Sequence, residues 1–449
     1  MCGFYFSTRD HFDPSVNVAL LTRGPDGYND LTVNGCRLVH SHLSIFESDH
    51  NQPYLHQNNE IALVFNGEIY ENLNGLNESE YLVEKYIVEG EKAFEDLLGE
   101  YAICLVDFKA NKLFLITDPF GTKPLFVSIC GGIHVSTYPS AISNSGTPRG
   151  TITPVEPNTI RCYSLKNFQL LGQKELVAWG LRQHIVTWDS WQQAFSDSVE
   201  VRSRHMKTGE VPFIGISSGH DSGGIHLAHL QLGLPFVGIS VEGKEDLDIL
   251  RARQNLSHQA GMEHVLIDHQ TARQLTDEIA EMLRRRSENL PYNILSSRHD
   301  ISGEAGSVLE DKASIALGLV NLFALEKGAR VSLSGNGADE LMSDYSSNGE
   351  PIYQHSNFCG VWPENLETIF PWPSFYGSTQ RAYLMKDECV GGAFGIESRY
   401  PYLDKRVVQS FLSLTVELKN RFYKAPLDAF LSESDYPHVN RKIGLSPWT

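Results

Sequence analysis

No Cys-x-x-Cys pair occurs in the 449-residue chain, and its seven cysteines, Cys2, Cys36, Cys104, Cys130, Cys162, Cys359 and Cys389, are odd in number. A disulfide framework and a cysteine-built zinc site are therefore not expected, and a reducing cytoplasm is the expected location. The chain also lacks any run of about 18 apolar residues, so no segment is expected to span a membrane. Its first residues, MCGFYFSTRD, have neither the basic nor the apolar region of a signal peptide. Positive charge is scarce: 37 Lys and Arg face 55 Asp and Glu, for a net charge of -18. Nucleic acid and anionic membrane surfaces are therefore not expected as partners. Internal repeats and low-complexity tracts are absent too. What is present is a hydrophobic fraction of 41% over a length that exceeds one ordinary core, which points to two domains.

The two halves differ in pattern. The first 180 residues read as short strands broken by Gly, Asn and Pro turns, such as Ile61–Phe65, Tyr101–Phe108 and Lys112–Thr117. One helix is expected over Glu78–Val88. A boundary falls near Gly172–Gly180. Beyond it, strands and helices alternate: strand Pro212–Ser217, helix Gly224–Leu232, strand Pro235–Val241, helix Asp246–Ala260, strand Val265–Asp268, helix Ala313–Leu325 and strand Ala329–Leu333. That alternation predicts a parallel sheet covered by helices.

Two sets of segments carry chemistry. Cys2 lies where removal of Met1 would leave its thiol beside a free α-amino group, an arrangement in which the amine serves as base for the nucleophile. The bland alternative is a small residue in a first strand. Around it stand Met1–Phe4 (MCGF), Arg23–Gly27 (RGPDG), His42–Ile45 (HLSI), Asn66–Tyr70 (NGEIY) and Asp118–Leu125 (DPFGTKPL). In this order they resemble the glutaminase domain of class II amidotransferases, of the N-terminal-nucleophile hydrolase type. The resemblance implies that Cys2 attacks the glutamine side-chain amide, that Asn66 and the Gly67 amide form the oxyanion hole, and that Glu68, His42 and Glu78 help to hold glutamine. Two positions depart from the pattern. His42 stands where the family usually has the Arg that clamps the glutamine α-carboxylate, and Glu78 where it usually has Asp. For NGEIY the competing reading is a hairpin turn at Asn66-Gly67.

In the second half, Ile216–Ser222 (ISSGHDS) lies between a strand and a helix, where successive amides can cradle an anion. It resembles the pyrophosphate loop S-G-G-x-D-S of asparagine synthetases, with Ser218 in place of a glycine. Ser334–Glu340 (SGNGADE), Glu397–Asp404 (ESRYPYLD) and Arg441–Gly444 (RKIG) resemble further segments of the same family. By that resemblance Ser217, Gly219, Asp221 and Ser222 hold pyrophosphate. Asp221 and Asp339 bind Mg²⁺, a use suited to hard carboxylate oxygens. Ile216, Val241, Ser334 and Gly335 line the adenosine pocket, and Lys442 steadies the α-phosphate. Lys424 reads as a solvated lysine at a terminal helix. Asn336 replaces a family glutamate near the acyl-adenylate. The stretch Arg284–Asp311, with Pro291-Tyr292-Asn293, offers acceptor contacts or a surface excursion.

Together these readings predict an α+β N-terminal-nucleophile hydrolase domain, an αββα sandwich, over residues 1–180, and an α/β parallel-sheet ATP-pyrophosphatase domain over 190–449. The activity implied is a glutamine-dependent amidotransferase of asparagine-synthetase type. It would use glutamine, ATP and Mg²⁺ and send ammonia through an internal channel to an adenylated carboxylate, aspartate or another acid. A homodimer is compatible with that reading. The alternatives are an AMP-forming cyclase or amide synthetase of natural-product type, and a catalytically silent binding protein on the same fold.

Overall fold

The computed structural model describes residues 2–9, 17–46, 52–290, 308, 311–347, 349–351 and 356–439. The chain folds as two compact units: residues 1–178 with 285–288 and 391–396, and residues 179–284 with 289–390 and 397–449. The two short segments that join the first unit come from deep within the second half of the sequence.

The first unit is built on two six-stranded sheets, antiparallel at every pairing. Its strands are β1 (Gly3–Ser7), β2 (Gly27–Val33), β3 (Cys36–His42), β4 (Tyr54–Leu55), β5 (Ile61–Ile69), β6 (Gly99–Asp107), β7 (Lys112–Thr117), β8 (Phe126–Ile129), β9 (Ile133–Ser136), β10 (Ile152–Pro154), β11 (Thr159–Ser164) and β12 (Leu170–Glu175). One sheet runs β10-β8-β9-β1-β3-β2, the other β12-β11-β7-β6-β5-β4. Alternation along β5 explains the layering. Ala62 and Val64 face the first sheet, joining Phe4, Phe6, Leu38 and Val135 in one core. Ile61, Leu63 and Phe65 face the other way and pack with Leu82, Val83 and Phe94 in a second. Leu82 and Val83 belong to helix α2 (Glu78–Glu89), which starts with a reciprocal cap between Asn77 and Glu80 and stops at Gly90 in a positive-φ conformation. Helices α1 (Val18–Arg23) and α3 (Pro139–Asn144) pack on the other sheet. The order helix, sheet, sheet, helix is the expected αββα sandwich.

The second unit holds a five-stranded parallel sheet in the order β15-β14-β13-β16-β19. Its members are β13 (Phe213–Gly215), β14 (Val237–Val241), β15 (Glu263–Ile267), β16 (Val331–Leu333) and β19 (Glu397–Arg399); β17 (Ser346–Ser347) and β18 (Glu350–Pro351) form a separate ribbon. The longer helices are α4 (Asp189–Arg204), α5 (His220–Leu232), α6 (Leu247–Gln259), α7 (His269–Arg286), α8 (Lys312–Glu326), α11 (Ser378–Phe394), α12 (Lys405–Ser413) and α14 (Ala425–Ser432), with α9 (Ala338–Met342), α10 (Pro373–Tyr376) and α13 (Val416–Lys419) as single turns. The α/β alternation read from the sequence is therefore the observed one. Strand order reverses at β13: the chain proceeds to β14 on one side and later enters β16 on the other. The loops that leave β13 and β16 thus lie side by side at the carboxyl end of the sheet, where open α/β sheets bind ligands.

Between α5, α6 and the sheet runs a buried polar chain. Ser240 Oγ contacts His264 Nε2 at 2.8 Å, Ser257 Oγ contacts His264 Nδ1 and His226 Nε2 at 3.0 Å each, and His226 Nδ1 meets the Tyr436 hydroxyl at 2.5 Å. Burial pushes the imidazoles down, His226 to about 2 with help from the charges of His264 and Arg253, and His264 to about 4 with help from those of His258 and Arg253. His229, bonded to Ser203, is lowered to about 4 by burial. All three are neutral at pH 7. Among the described residues, no helix is long and apolar enough to cross a membrane.

Candidate functional site

In the first unit, Cys2 stands immediately before β1, half-buried. Arg23, fully buried at the end of α1, donates from Nε to the Cys2 carbonyl oxygen at 2.8 Å and from Nη1 to the Tyr138 hydroxyl at 2.7 Å. The guanidinium also lies 5.0 Å from the Tyr138 ring centroid. The arginine of RGPDG therefore anchors the backbone that carries the thiol. Gly24 permits that arrangement, because a Cβ there would sit 2.2 Å from the Ser41 carbonyl oxygen.

Asn66 and Gly67 are not a hairpin turn. They lie inside β5, paired across to Ala102 and Tyr101 on β6. Asn66 is fully buried, and neither its Oδ1 nor its Nδ2 has a hydrogen-bond partner among the described residues. A buried amide with no partner is costly, of order 1–3 kcal/mol. It fits a group kept free for a substrate oxygen. Gly67 has φ +134, and a Cβ there would stand 1.8 Å from the Glu100 carbonyl oxygen, so only glycine is accommodated. Glu68 is buried. Glu78 begins α2, and its carboxylate accepts the Ile69 amide at 2.6 Å, which ties the helix start to the end of the NGEIY strand. His42 ends β3 with Nδ1 3.7 Å from Cys2 Sγ. Its ring thus lies against the Cys2 thiol.

In the second unit, the ISSGHDS loop leaves β13 and enters α5. Ser222 Oγ accepts the Ser217 amide at 2.9 Å and pairs with the Ser217 hydroxyl at 2.8 Å. Ser218 gives its amide to Glu245 at 2.6 Å and its hydroxyl to the same carboxylate, while that hydroxyl accepts the Asp246 amide at 3.1 Å. Ser218, where the resemblance leads one to expect a glycine, therefore moors the loop to the start of α6. Burial pushes the Glu245 carboxyl up, against the hydrogen bonds from Ser218. Arg253 of α6 is fully buried and donates to the carbonyl oxygens of Ser217 and, at 2.9 Å, Gly219. These contacts shape the loop from behind.

The SGNGADE loop meets it closely: a Cβ on Gly335 would come 2.8 Å from the Asp221 Cβ. Asp339 accepts the Tyr423 hydroxyl at 2.7 Å. Lys424 is the decisive addition and a correction to the sequence reading. It is 2% exposed rather than solvated, and its ammonium forms ion pairs with Asp221 and, at 2.7 Å, with Asp339. Two carboxylates, Asp339 buried and Asp221 partly exposed, pull the cation inward, and a left-handed backbone at the start of α14 (φ 50, ψ 49) allows the turn. The ESRYPYLD segment supplies supports: Tyr402 donates to the Asp221 carbonyl oxygen at 2.8 Å, and Asp404 pairs with Arg202 at 3.0 Å. Asn336 donates to the Asp387 carboxylate at 2.8 Å, as does the Ser334 hydroxyl at 2.6 Å. A cavity of about 420 Å³ opens here, with Ile216, Val241, Asp221, Ser334, Gly335 and Asp339 among its lining residues. Lys442 and Pro291-Tyr292-Asn293 lie outside the described residues.

Residues 1–155 match the family model of a glutamine amidotransferase domain. Beyond the amidotransferase domain, the similarity extends along the chain. It is 26% identical over 420 residues to a putative glutamine-hydrolyzing asparagine synthetase of Methanocaldococcus jannaschii, covering 86% of this chain and 71% of that protein. It is 25% identical over 484 residues to the glutamine-hydrolyzing asparagine synthetase of Mus musculus, covering 93% and 78%. Among solved structures, a glutamine phosphoribosylpyrophosphate amidotransferase from B. subtilis covers 99% of each chain at 11% identity and a TM-score of 0.33.

Proposed function

We propose that the protein is a glutamine-dependent amidotransferase of asparagine-synthetase type, which hydrolyses glutamine at Cys2 and uses the ammonia on a carboxylate activated by ATP. The observation that carries the reading is one chain with both parts. It has an amidotransferase domain with a half-buried cysteine, and a second unit whose cavity is bordered by Asp221 and Asp339.

In the first half-reaction the Cys2 thiolate adds to the glutamine carboxamide carbon. The amine freed by removal of Met1 takes up the thiol proton and returns a proton to the departing ammonia. The Asn66 Nδ2 group and the Gly67 amide donate to the oxyanion. Water then cleaves the thioester to give glutamate. Glu68 and Glu78 present negative charge toward the glutamine α-amino group, and His42 stands in for the arginine of related domains.

In the second half-reaction the acceptor carboxylate oxygen attacks the α-phosphorus of ATP and pyrophosphate leaves. Ammonia then attacks the acyl carbon and AMP departs, leaving an amide. The amides and hydroxyls of Ser217, Gly219 and Ser222 cradle the leaving group, while Ile216, Val241, Ser334 and Gly335 border the adenosine. Asp221 and Asp339 are hard oxygen donors brought to a single ammonium, which fits them to hold Mg²⁺ with the phosphates. The ion would neutralise charge on the leaving pyrophosphate. Lys424 is already in place to follow that charge, and Lys442 belongs to the same role on the α-phosphate.

The acceptor is a small carboxylic acid, aspartate or another. The test is amide synthesis with Cys2→Ala. This variant should lose glutamine hydrolysis, retain ATP–pyrophosphate exchange with its acceptor acid, and form amide only with added ammonium. Glutamine-dependent synthesis surviving in Cys2→Ala would overturn the proposal.

A further inference from the structure

His40 and His42 are two apart on β3, so both rings project from one face of the first sheet. The antiparallel register of β1 with β3 pairs Gly3 with Ser41 and Phe4 with His40. Extending it by one residue sets Cys2 opposite His42, on the face that carries both imidazoles. The Cys2 sulfur and one nitrogen of each ring all lie within 4.8 Å of one another. The sulfur is 3.7 Å from His42 Nδ1, and the two ring centroids are 5.7 Å apart. Both histidines are buried while Cys2 is half-buried. Tetrahedral zinc bonds of about 2.3 Å to sulfur and about 2.0 Å to nitrogen place neighbouring ligand atoms roughly 3.3–3.6 Å apart. From separations of at most 4.8 Å, closing to these values draws each donor atom in by under about 1 Å. One thiolate and two imidazoles are a donor set that suits Zn²⁺ and its borderline-soft neighbours and suits Mg²⁺ or Ca²⁺ poorly.

We propose that Cys2, His40 and His42 form a site for a zinc-class divalent cation, and that the bound ion silences the nucleophile. On binding, the thiol proton passes to solvent and a sulfur lone pair goes to the metal. The thiolate is then unavailable to attack a carboxamide carbon. A fourth position on the half-exposed side remains for water. The metal site stands on geometry alone; the loss of hydrolysis rests on the glutaminase reading of Cys2.

The experiment titrates metal-free, full-length protein with Co²⁺ and reads thiolate-to-cobalt charge-transfer absorbance, then displaces Co²⁺ with Zn²⁺. Wild type should take up one equivalent with that absorbance. Cys2→Ala should abolish it. His40→Gln and, separately, His42→Arg should each weaken binding at least about tenfold, with circular dichroism checking that each variant is folded. In parallel, Zn²⁺ should stop glutamine hydrolysis by wild type, and a chelator should restore it. His40→Gln should hydrolyse glutamine without metal but need at least about tenfold more Zn²⁺ for inhibition. No charge-transfer absorbance, or absorbance that survives in Cys2→Ala or is unchanged in both folded histidine variants, overturns the site. Cobalt binding at Cys2 in a protein that never hydrolyses glutamine, even metal-free, would leave the metal site standing and overturn the glutaminase reading.

Discussion

The two candidate centres are built from different materials. Around Cys2 the work is done largely by backbone: the Gly67 amide, the Cys2 carbonyl oxygen held by Arg23, and the strand pairing that fixes Asn66 inside β5. Around Asp221, itself partly exposed, it is done by buried charge: the Asp339 carboxylate, the Lys424 ammonium and a second cation, Arg253, behind the loop. A site made of backbone geometry tolerates side-chain changes around it but no change at its glycines. A site made of buried charge is the reverse. Its geometry can relax, yet removing one charge strands the others.

Three experiments would break or sharpen that contrast. The largest effect is expected from Lys424→Met, which leaves Asp221 and Asp339 without their shared cation. Truncating one member of a buried ion pair costs about 3–5 kcal/mol. Denaturant unfolding of the second unit should show a loss of that order, and ATP–pyrophosphate exchange should vanish while glutamine hydrolysis persists. Full exchange activity in the variant would mean the ammonium is dispensable. Next is Gly67→Ala. Its Cβ would meet the Glu100 carbonyl oxygen at 1.8 Å, so the strand must shift and the amide must turn. Loss of one oxyanion donor lowers kcat by about 10²–10³-fold. Glutamine hydrolysis should fall by at least that much, with ATP–pyrophosphate exchange unchanged. Wild-type kcat would show that the amide has no part in the chemistry.

The smallest effect per group belongs to pH. His229 and His264 are lowered to about 4 in the folded protein, against an ordinary value near 6.5. The unfolded chain therefore takes up protons first as pH falls below about 6.5, and the folded state loses stability until pH reaches about 4. Between pH 6.5 and 5.5 each of these histidines should cost about 1 kcal/mol. Equilibrium unfolding should show proton uptake in that window. His229→Gln should flatten the slope; an unaltered slope would place its origin elsewhere.

Much of this was legible in the sequence. The unbroken apolar run Ile61–Phe65 marks a strand buried on both faces, and the strand–helix alternation after Pro212 marks a sheet covered by helices. These patterns led to packed sheets in the first half and a parallel sheet in the second; the αββα class of the first came from the resemblance of its ordered segments. NGEIY was legible as a chemical segment and illegible as geometry. An Asn-Gly pair is the commonest hairpin signal, and only pairing with β6 reveals it as mid-strand. Lys424 misled for a similar reason. Its burial is imposed by Asp221 and Asp339, 203 and 85 positions earlier in the chain, and nothing local in Tyr423-Lys424-Ala425 announces that. Arg253 sits in a helix where an arginine ordinarily faces water, and its partners are backbone carbonyl oxygens that carry no sequence signature. His40 could have been found. The pattern His40-Ser41-His42 on a strand puts both imidazoles on one face whatever the tertiary fold.

One substitution looks different once its surroundings are seen. Asn336 stands where the resemblance of SGNGADE leads one to expect a glutamate, and by sequence it removes a negative charge. Its amide nevertheless donates to Asp387, which also receives the Ser334 hydroxyl. An anion therefore lies beside Asn336, held by two neutral donors. Any group that came to Asp387 would have to displace two hydrogen-bond donors rather than enter an open carboxylate.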